Sequence, residues 1–167
     1  MNTKILNFSI KFNKKDKDTA VFLDKVLVKK NQIKTTLNLL IGYENTYPKT
    51  KNGEYIKLKL ENEKIVIHND FYSSFPVYIY ENKNKIILSN SIEGLRIFEE
   101  LELQISSKMI YRYFGFGFIP FTSDTVYNNV SLMPPNSKII INRGLKLSSK
   151  TINIFNHKLN IYNVKKV

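Results

Sequence analysis

The chain contains no cysteine and no tryptophan. The first absence excludes disulfides, thiolate metal sites and a cysteine nucleophile together. Glycine is sparse too: Gly42, Gly53, Gly94, Gly115, Gly117 and Gly144 are scattered, and none of them builds a phosphate-cradling loop. No run approaches the roughly 18 uninterrupted apolar residues that a membrane-spanning helix needs. The first residues, MNTKILNFSIKF, carry charge too early and too short an apolar run for a signal peptide. A cytoplasmic protein is the expectation. The only histidines are His68 and His157. With no Cys and no paired carboxylates at ligand spacing, no metal site is expected, and His68 on a strand reads as a structural residue.

What is present is globular in character. Apolar residues make up 43% of the 167 and aromatics 13%, all of them Tyr or Phe. That length supports one domain, or one domain with a tail, and a real core. Lys plus Arg number 26 against 14 Asp plus Glu, a net charge of +12. The excess is spread: 14 cations face 7 acids up to Lys64, and 12 face 7 beyond it. No block is dense enough to read as a nucleic-acid arm, which leaves a compositional bias or an acidic partner as readings.

In chain order, Lys4 to Phe12 alternates as a strand. Thr19 to Lys29 fits either a strand pair or a short helix. Thr35 to Tyr43 is an apolar run that Gly42 closes, and Tyr47 to Gly53 reads as a loop punctuated by Pro48 and Asn52-Gly53. From Glu54 the pattern sharpens. Ile56, Leu58 and Leu60 alternate with Tyr55, Lys57 and Lys59, a turn follows at 61–63, and Ile65 to Ile67 return as the second arm of a hairpin. Val77 to Tyr80 and Lys85 to Ser89 form another hairpin, and the four strands together predict an antiparallel sheet. Ser89, Asn90 or Ser91 can cap a helix with Ile92, Leu95 and Phe98 on one face. Ser106 or Ser107 can cap a second, Lys108 to Phe114, with Ile110 and Phe114 inward and Gly115 and Gly117 ending it. Lys138 to Asn142 is a last strand.

Three segments from Ile65 onward resemble the amino-terminal domain of asparagine synthetase-like enzymes. This is the class II glutamine amidotransferase fold, shared with β-lactam synthetases and lasso-peptide cyclases. The family's Asp followed by Pro-Leu-Tyr-Tyr is matched by Asp70 and Pro76-Val77-Tyr78-Ile79-Tyr80. Its strand ending in a small residue and Ser before a helix is matched by Ile86 to Leu95. Its apolar-Gly, Pro, Thr-aromatic and Leu-x-Pro-Gly run is matched by Tyr113 to Pro120, Thr125-Val126-Tyr127 and Leu132-Met133-Pro134-Pro135-Asn136. Together they cover about half the chain.

The resemblance implies an α+β fold of two antiparallel sheets with flanking helices, a trimmed Ntn-hydrolase-like αββα sandwich. Residues 1–150 would form the single degenerate domain and 151–167 a tail or linker. In the family the nucleophile is an N-terminal Cys whose own α-amine is the base. Here the chain begins Met1-Asn2-Thr3 and holds no Cys, and Thr3 would serve only after cleavage behind Asn2. The family's glutamine-binding Arg and Asn-Gly segments find no counterpart. Asn52-Gly53-Glu54-Tyr55 echoes the latter but reads better as a hairpin turn. The adenylating half with its Ser-Gly-Gly loop is missing.

No catalytic residue and no cofactor are therefore expected. Asp70 reads as the carboxylate of an Asx-type turn, and Asp70, Pro76, Tyr78 and Ser89 as residues that hold the fold. Ser73-Ser74 lacks the Gly-x-Ser-x-Gly setting of a nucleophile. Glu93, Glu99, Glu100 and Glu102 read as a solvated face. The aromatic run carrying Tyr111, Arg112, Tyr113, Phe114, Phe116, Phe118 and Phe121 is either core or a surface for docking a partner. The expected function is that of a non-catalytic partner or scaffold for an ATP-dependent amide-forming ligase. The partner would be a synthetase-domain protein or a precursor peptide, in the making of a modified peptide or an amide-containing small molecule. A basic module binding an acidic protein or, less favoured, nucleic acid is the alternative, and the amino-terminal piece of a longer ligase a third.

Overall fold

The computed structural model describes residues 7–13, 19–24, 26–29, 37–47, 50–60, 64–97, 101–117, 123–142 and 147–151. Within them the chain is α+β, with eleven strands in two sheets and two short helices. Every strand pairing there is antiparallel.

The first sheet begins with β1 (Phe8–Asn13), β2 (Thr19–Leu23) and β3 (Val26–Lys29). The segment from Thr19 to Lys29 is thus a strand pair and not a helix. Val21, Val26 and Val28 favour extended backbone, and Asp24 turns the chain at φ +45. Asp24 also clasps the start of β1: its Oδ1 accepts from Asn7 N–H at 2.8 Å. The sheet is completed by β7 (Tyr78–Glu81), β8 (Lys85–Ser89) and β9 (Val130–Leu132), in the order β3-β2-β1-β8-β7-β9. Asn82 makes the β7–β8 turn, its Oδ1 accepting from the N–H groups of Asn84 and Lys85, both at 2.8 Å.

The second sheet holds β4 (Leu37–Tyr47), β5 (Thr50–Leu60), β6 (Lys64–Asn69), β10 (Ser137–Asn142) and β11 (Leu147–Thr151), in the order β11-β10-β6-β5-β4. Three expectations are corrected here. The segment 50–53 is strand, with Asn52 and Gly53 opposite Asn45 and Glu44. Polar composition does not distinguish a loop from the far end of a long hairpin. Gly42 does not close the apolar run but lies inside β4, at φ +92. A Cβ there would sit 2.0 Å from the Glu54 carbonyl oxygen and 2.6 Å from the Phe75 ring, so only glycine lets the strand continue under Phe75. Finally, the two hairpins from Glu54 to Ser89 do not share a sheet. β5 and β6 belong to the second sheet and β7 and β8 to the first.

One hydrophobic core lies between the sheets. The first contributes Phe8, Ile10, Phe12, Val21, Ile86 and Leu88, and the second Ile41, Ile56, Leu58, Ile67, Ile139 and Ile141. The opposite side of the first sheet is covered as well. There Ile87 meets Leu95 of helix α1 (Ile92–Arg96), with Leu101 and Val130. Ser91 caps that helix, its Oγ accepting from Gly94 N–H at 3.0 Å. Gly94 lies so close to the sheet that a Cβ would be 2.0 Å from Ser89 Oγ and 2.5 Å from Ser9 Oγ.

The step from one sheet to the other is made by residues 70–77, and Asn69 and Asp70 hold it. Both are buried. Asp70 Oδ2 accepts from Tyr55 N–H and Ser74 N–H, each at 3.1 Å, and its Oδ1 from Tyr72 N–H at 2.8 Å and Ser74 Oγ at 3.2 Å. Its carbonyl accepts from Ser73 and Asn136 N–H. Asn69 reaches the other way: its Oδ1 accepts from Ser137 N–H at 2.8 Å, and its Nδ2 donates to the Pro134 carbonyl at 2.9 Å. Asp70 is thus the turn carboxylate that the sequence suggests. Ser89 is equally structural, fully buried and donating to the Phe8 carbonyl at 2.8 Å. Tyr78 is half-buried and Pro76 is exposed.

Two changes test this frame by urea denaturation. Asp70→Ala strands three buried or half-buried N–H groups and lowers stability by about 3 kcal/mol or more. Gly94→Ala forces α1 off the sheet and costs about 1–3 kcal/mol.

Candidate docking surface

Helix α2 (Ser107–Phe116) departs from the usual amphipathic plan. Its sequence, SKMIYRYFGF, places apolar side chains almost all round, and a ten-residue helix against one neighbour can bury only some of them. Met109 is the one that is buried. The start of the helix is tied to the segment that follows it. Ser106 N–H donates to the Val126 carbonyl and Asn128 N–H to the Gln104 carbonyl, both at 2.8 Å. Ser106 stands at the N-cap without a side-chain capping bond. Arg112 reaches Asp124 at 3.6 Å and Met109 Sδ at 3.8 Å. Gly115 lies inside the helix and does not end it. Gly117 ends it, at φ +73, donating to the Tyr113 carbonyl at 2.7 Å.

Tyr111 and Phe114 lie on the side away from Met109, and Tyr113 and Phe116 follow Met109 along its own side in the later turns; all four are open to solvent. Tyr111 is 77% exposed, Phe114 79%, Phe116 64% and Tyr113 49%. The expectation that Phe114 turns inward is therefore overturned, as is the core reading for these four residues. Periodicity pairs Phe114 with Ile110, but coverage reaches only the first turns of the helix, where Met109 is buried and Ile110 half-buried. The four side chains expose on the order of 500 Å² of aromatic surface, distributed around the second half of the helix. The Tyr113 and Phe114 rings meet edge-on at 6.2 Å between centroids. Arg112 lies on the anchored flank, not among the exposed rings. Phe118 and Phe121 lie outside the described residues.

The other residues singled out by the sequence are not brought together. Glu93 and Glu102 are exposed, and Ser73 and Ser74 belong to the Asp70 turn. Glu99, Glu100, Thr3 and His157 lie outside the described residues. Among those described, no group of three or more His, Asp or Glu could hold a metal ion. No helix among them is long and apolar enough to cross a membrane. His68 is half-buried on the outer side of the second sheet, its ring 5.6 Å from that of Tyr55. Lys57 lies 5.0 Å over the same Tyr55 ring and pairs with Glu44 at 2.5 Å. The sequence alternation showed Lys57 and Lys59 on one side of a strand, yet it gave no sign that Lys138 joins them.

Burial raises the Tyr55 phenol above its ordinary 10.0, and the nearby Glu44 and Asp70 carboxylates push in the same direction. The folded value exceeds the unfolded one. This contribution to stability is therefore complete below pH 10.0 and is lost as the pH rises past it. Chemical denaturation across alkaline pH will show that loss, and Tyr55→Phe will flatten it.

In comparisons with known proteins, no family model matches the chain and no curated protein matches it.

Proposed function

We propose that this chain is a non-catalytic, amidotransferase-like domain that docks an ATP-dependent amide-forming ligase carried on another chain. The single observation that carries the docking role is the aromatic side of α2, where Tyr111 and Phe114 are each more than three-quarters exposed. Rings of that size left in water gain most from a partner's apolar surface.

The family reading is supported by where the resembling segments fall. Asp70 and Pro76 to Tyr80 make the crossing between sheets and enter β7. Ile86 to Ser89 form β8, and Ser91 caps the helix that follows. Pro134 belongs to the turn that Asn69 holds before β10. In this reading the fold is an αββα sandwich of the Ntn-hydrolase kind with its outer layers trimmed. The missing cysteine removes the glutaminase nucleophile and leaves the structural frame. The partner is a synthetase-domain protein or a precursor peptide, and the product a modified peptide or an amide-bearing small molecule.

Co-expression with a synthetase-domain protein encoded beside this gene tests the proposal. The two proteins should co-elute as a stable complex, and Tyr111→Ser with Phe114→Ser should weaken it by about 2–4 kcal/mol. Glutamine hydrolysis by the purified chain, or a complex indifferent to both substitutions, would refute it.

A further inference from the structure

We propose that β4 is a pairing edge, and that a second copy of this chain occupies it in solution by antiparallel β4–β4 pairing about a two-fold axis. Among the described residues β4 has a strand on one side only, since the order β11-β10-β6-β5-β4 ends with it. Its register with β5 runs unbroken from Leu37 opposite Leu60 to Tyr47 opposite Thr50. In such a ladder alternate residues turn their N–H and C=O groups away from the paired strand. About half of the eleven residues of β4 therefore aim main-chain donors and acceptors outward. An open row of this kind is a template for another extended strand.

The other sheet edges are guarded, and β4 is not. β3 is four residues long and includes Lys29, and β11 is five and includes Lys150. β9 has three residues, and Asp124 bridges its Ser131. Short length and edge lysines keep sheets from pairing edge to edge. β4 runs eleven residues, LNLLIGYENTY, with no Lys, Arg or Pro. Its one charge, Glu44, is met by Lys57 of β5. An edge so neutral selects no charged partner, whereas its own copy fits by symmetry. A two-fold axis normal to the sheet makes every contact twice and keeps the core sides of both copies on one side of the joined sheet. Leu40 and Tyr43, 49% and 52% exposed, lie on this strand and are covered by the partner. Paired along its length, the edge makes on the order of ten main-chain hydrogen bonds, the number carried by an ordinary protein–protein interface. The assembly closes at two, because one such edge is present among the described residues of each copy.

The test uses the full chain in sedimentation equilibrium, with amide hydrogen exchange on the same samples. The chain should pass from monomer to dimer as its concentration rises. The dimer should persist or tighten with added salt, which screens the repulsion between two copies of charge +12. Alternate amides of residues 37–47 should exchange more slowly in the dimer than in the monomer. Leu40→Lys with Tyr43→Lys charges both edges alike and should weaken association about tenfold or more. Leu40→Thr with Tyr43→Thr keeps a neutral strand former and should stay within about threefold of the parent. Both pairs replace exposed side chains, and circular dichroism melts establish that they stay folded. Should the lysine pair unfold, Leu40→Lys alone gives a smaller loss in the same direction. The Tyr111→Ser, Phe114→Ser protein should dimerise like the parent, which separates this edge from the docking role of α2. A chain that stays monomeric throughout, larger species in place of a dimer, or folded lysine variants that associate like the parent overturn the proposal. So does loss of the dimer in the α2 variant or the threonine pair, or a dimer whose residues 37–47 exchange as fast as the monomer's.

Discussion

The buried pair Asn69–Asp70 is the constraint on which the two-sheet arrangement depends. At this point the chain leaves β6 and must cross to β7 in the other sheet within eight residues. Crossing breaks the ladder, so the freed N–H groups need acceptors other than a neighbouring strand. Asp70 supplies them as one carboxylate with several lone pairs, and Asn69 ties the same point to the turn before β10. A single residue pair thereby fixes three chain segments relative to one another. Ser73 and Asn136 adopt positive φ on either side of it, which the hydrogen bonds hold in place.

Local chemistry was legible in the sequence, and non-local pairing was not. The β5–β6 hairpin follows from the alternation of Ile56, Leu58 and Leu60, the α1 cap from the run Ser89-Asn90-Ser91, and the Asp70 turn from one acid set among aromatics. Alternation shows that a strand has two sides, but not which sheet it joins. The β5–β6 and β7–β8 hairpins look continuous in sequence and separate in space because Asp70 diverts the chain between them. The same limit hid the placement of Lys57 and Lys138 on either side of His68 of β6. Phe114 was misplaced for a different reason. Helical spacing tells which residues share a side, whereas burial depends on how far the neighbouring surface extends.

The two sheets end up in unequal surroundings. The outer side of the first is covered around Ile87 by Leu95 of α1 and by Leu101. The outer side of the second carries lysines and partly open aliphatic residues.

The pairing of β1 with β8 has a consequence for how the molecule is made. Ser9 lies opposite Ser89, and Ile10 opposite Leu88, with some eighty residues of chain between them. β1 joins the two halves of the first sheet, so that sheet cannot close until residue 89 has left the ribosome. The β4–β5–β6 meander needs only its own neighbours and closes earlier. During synthesis, the apolar side of β1 and β2 therefore waits without its final partner, and the second sheet supplies the first surface against which it can collapse.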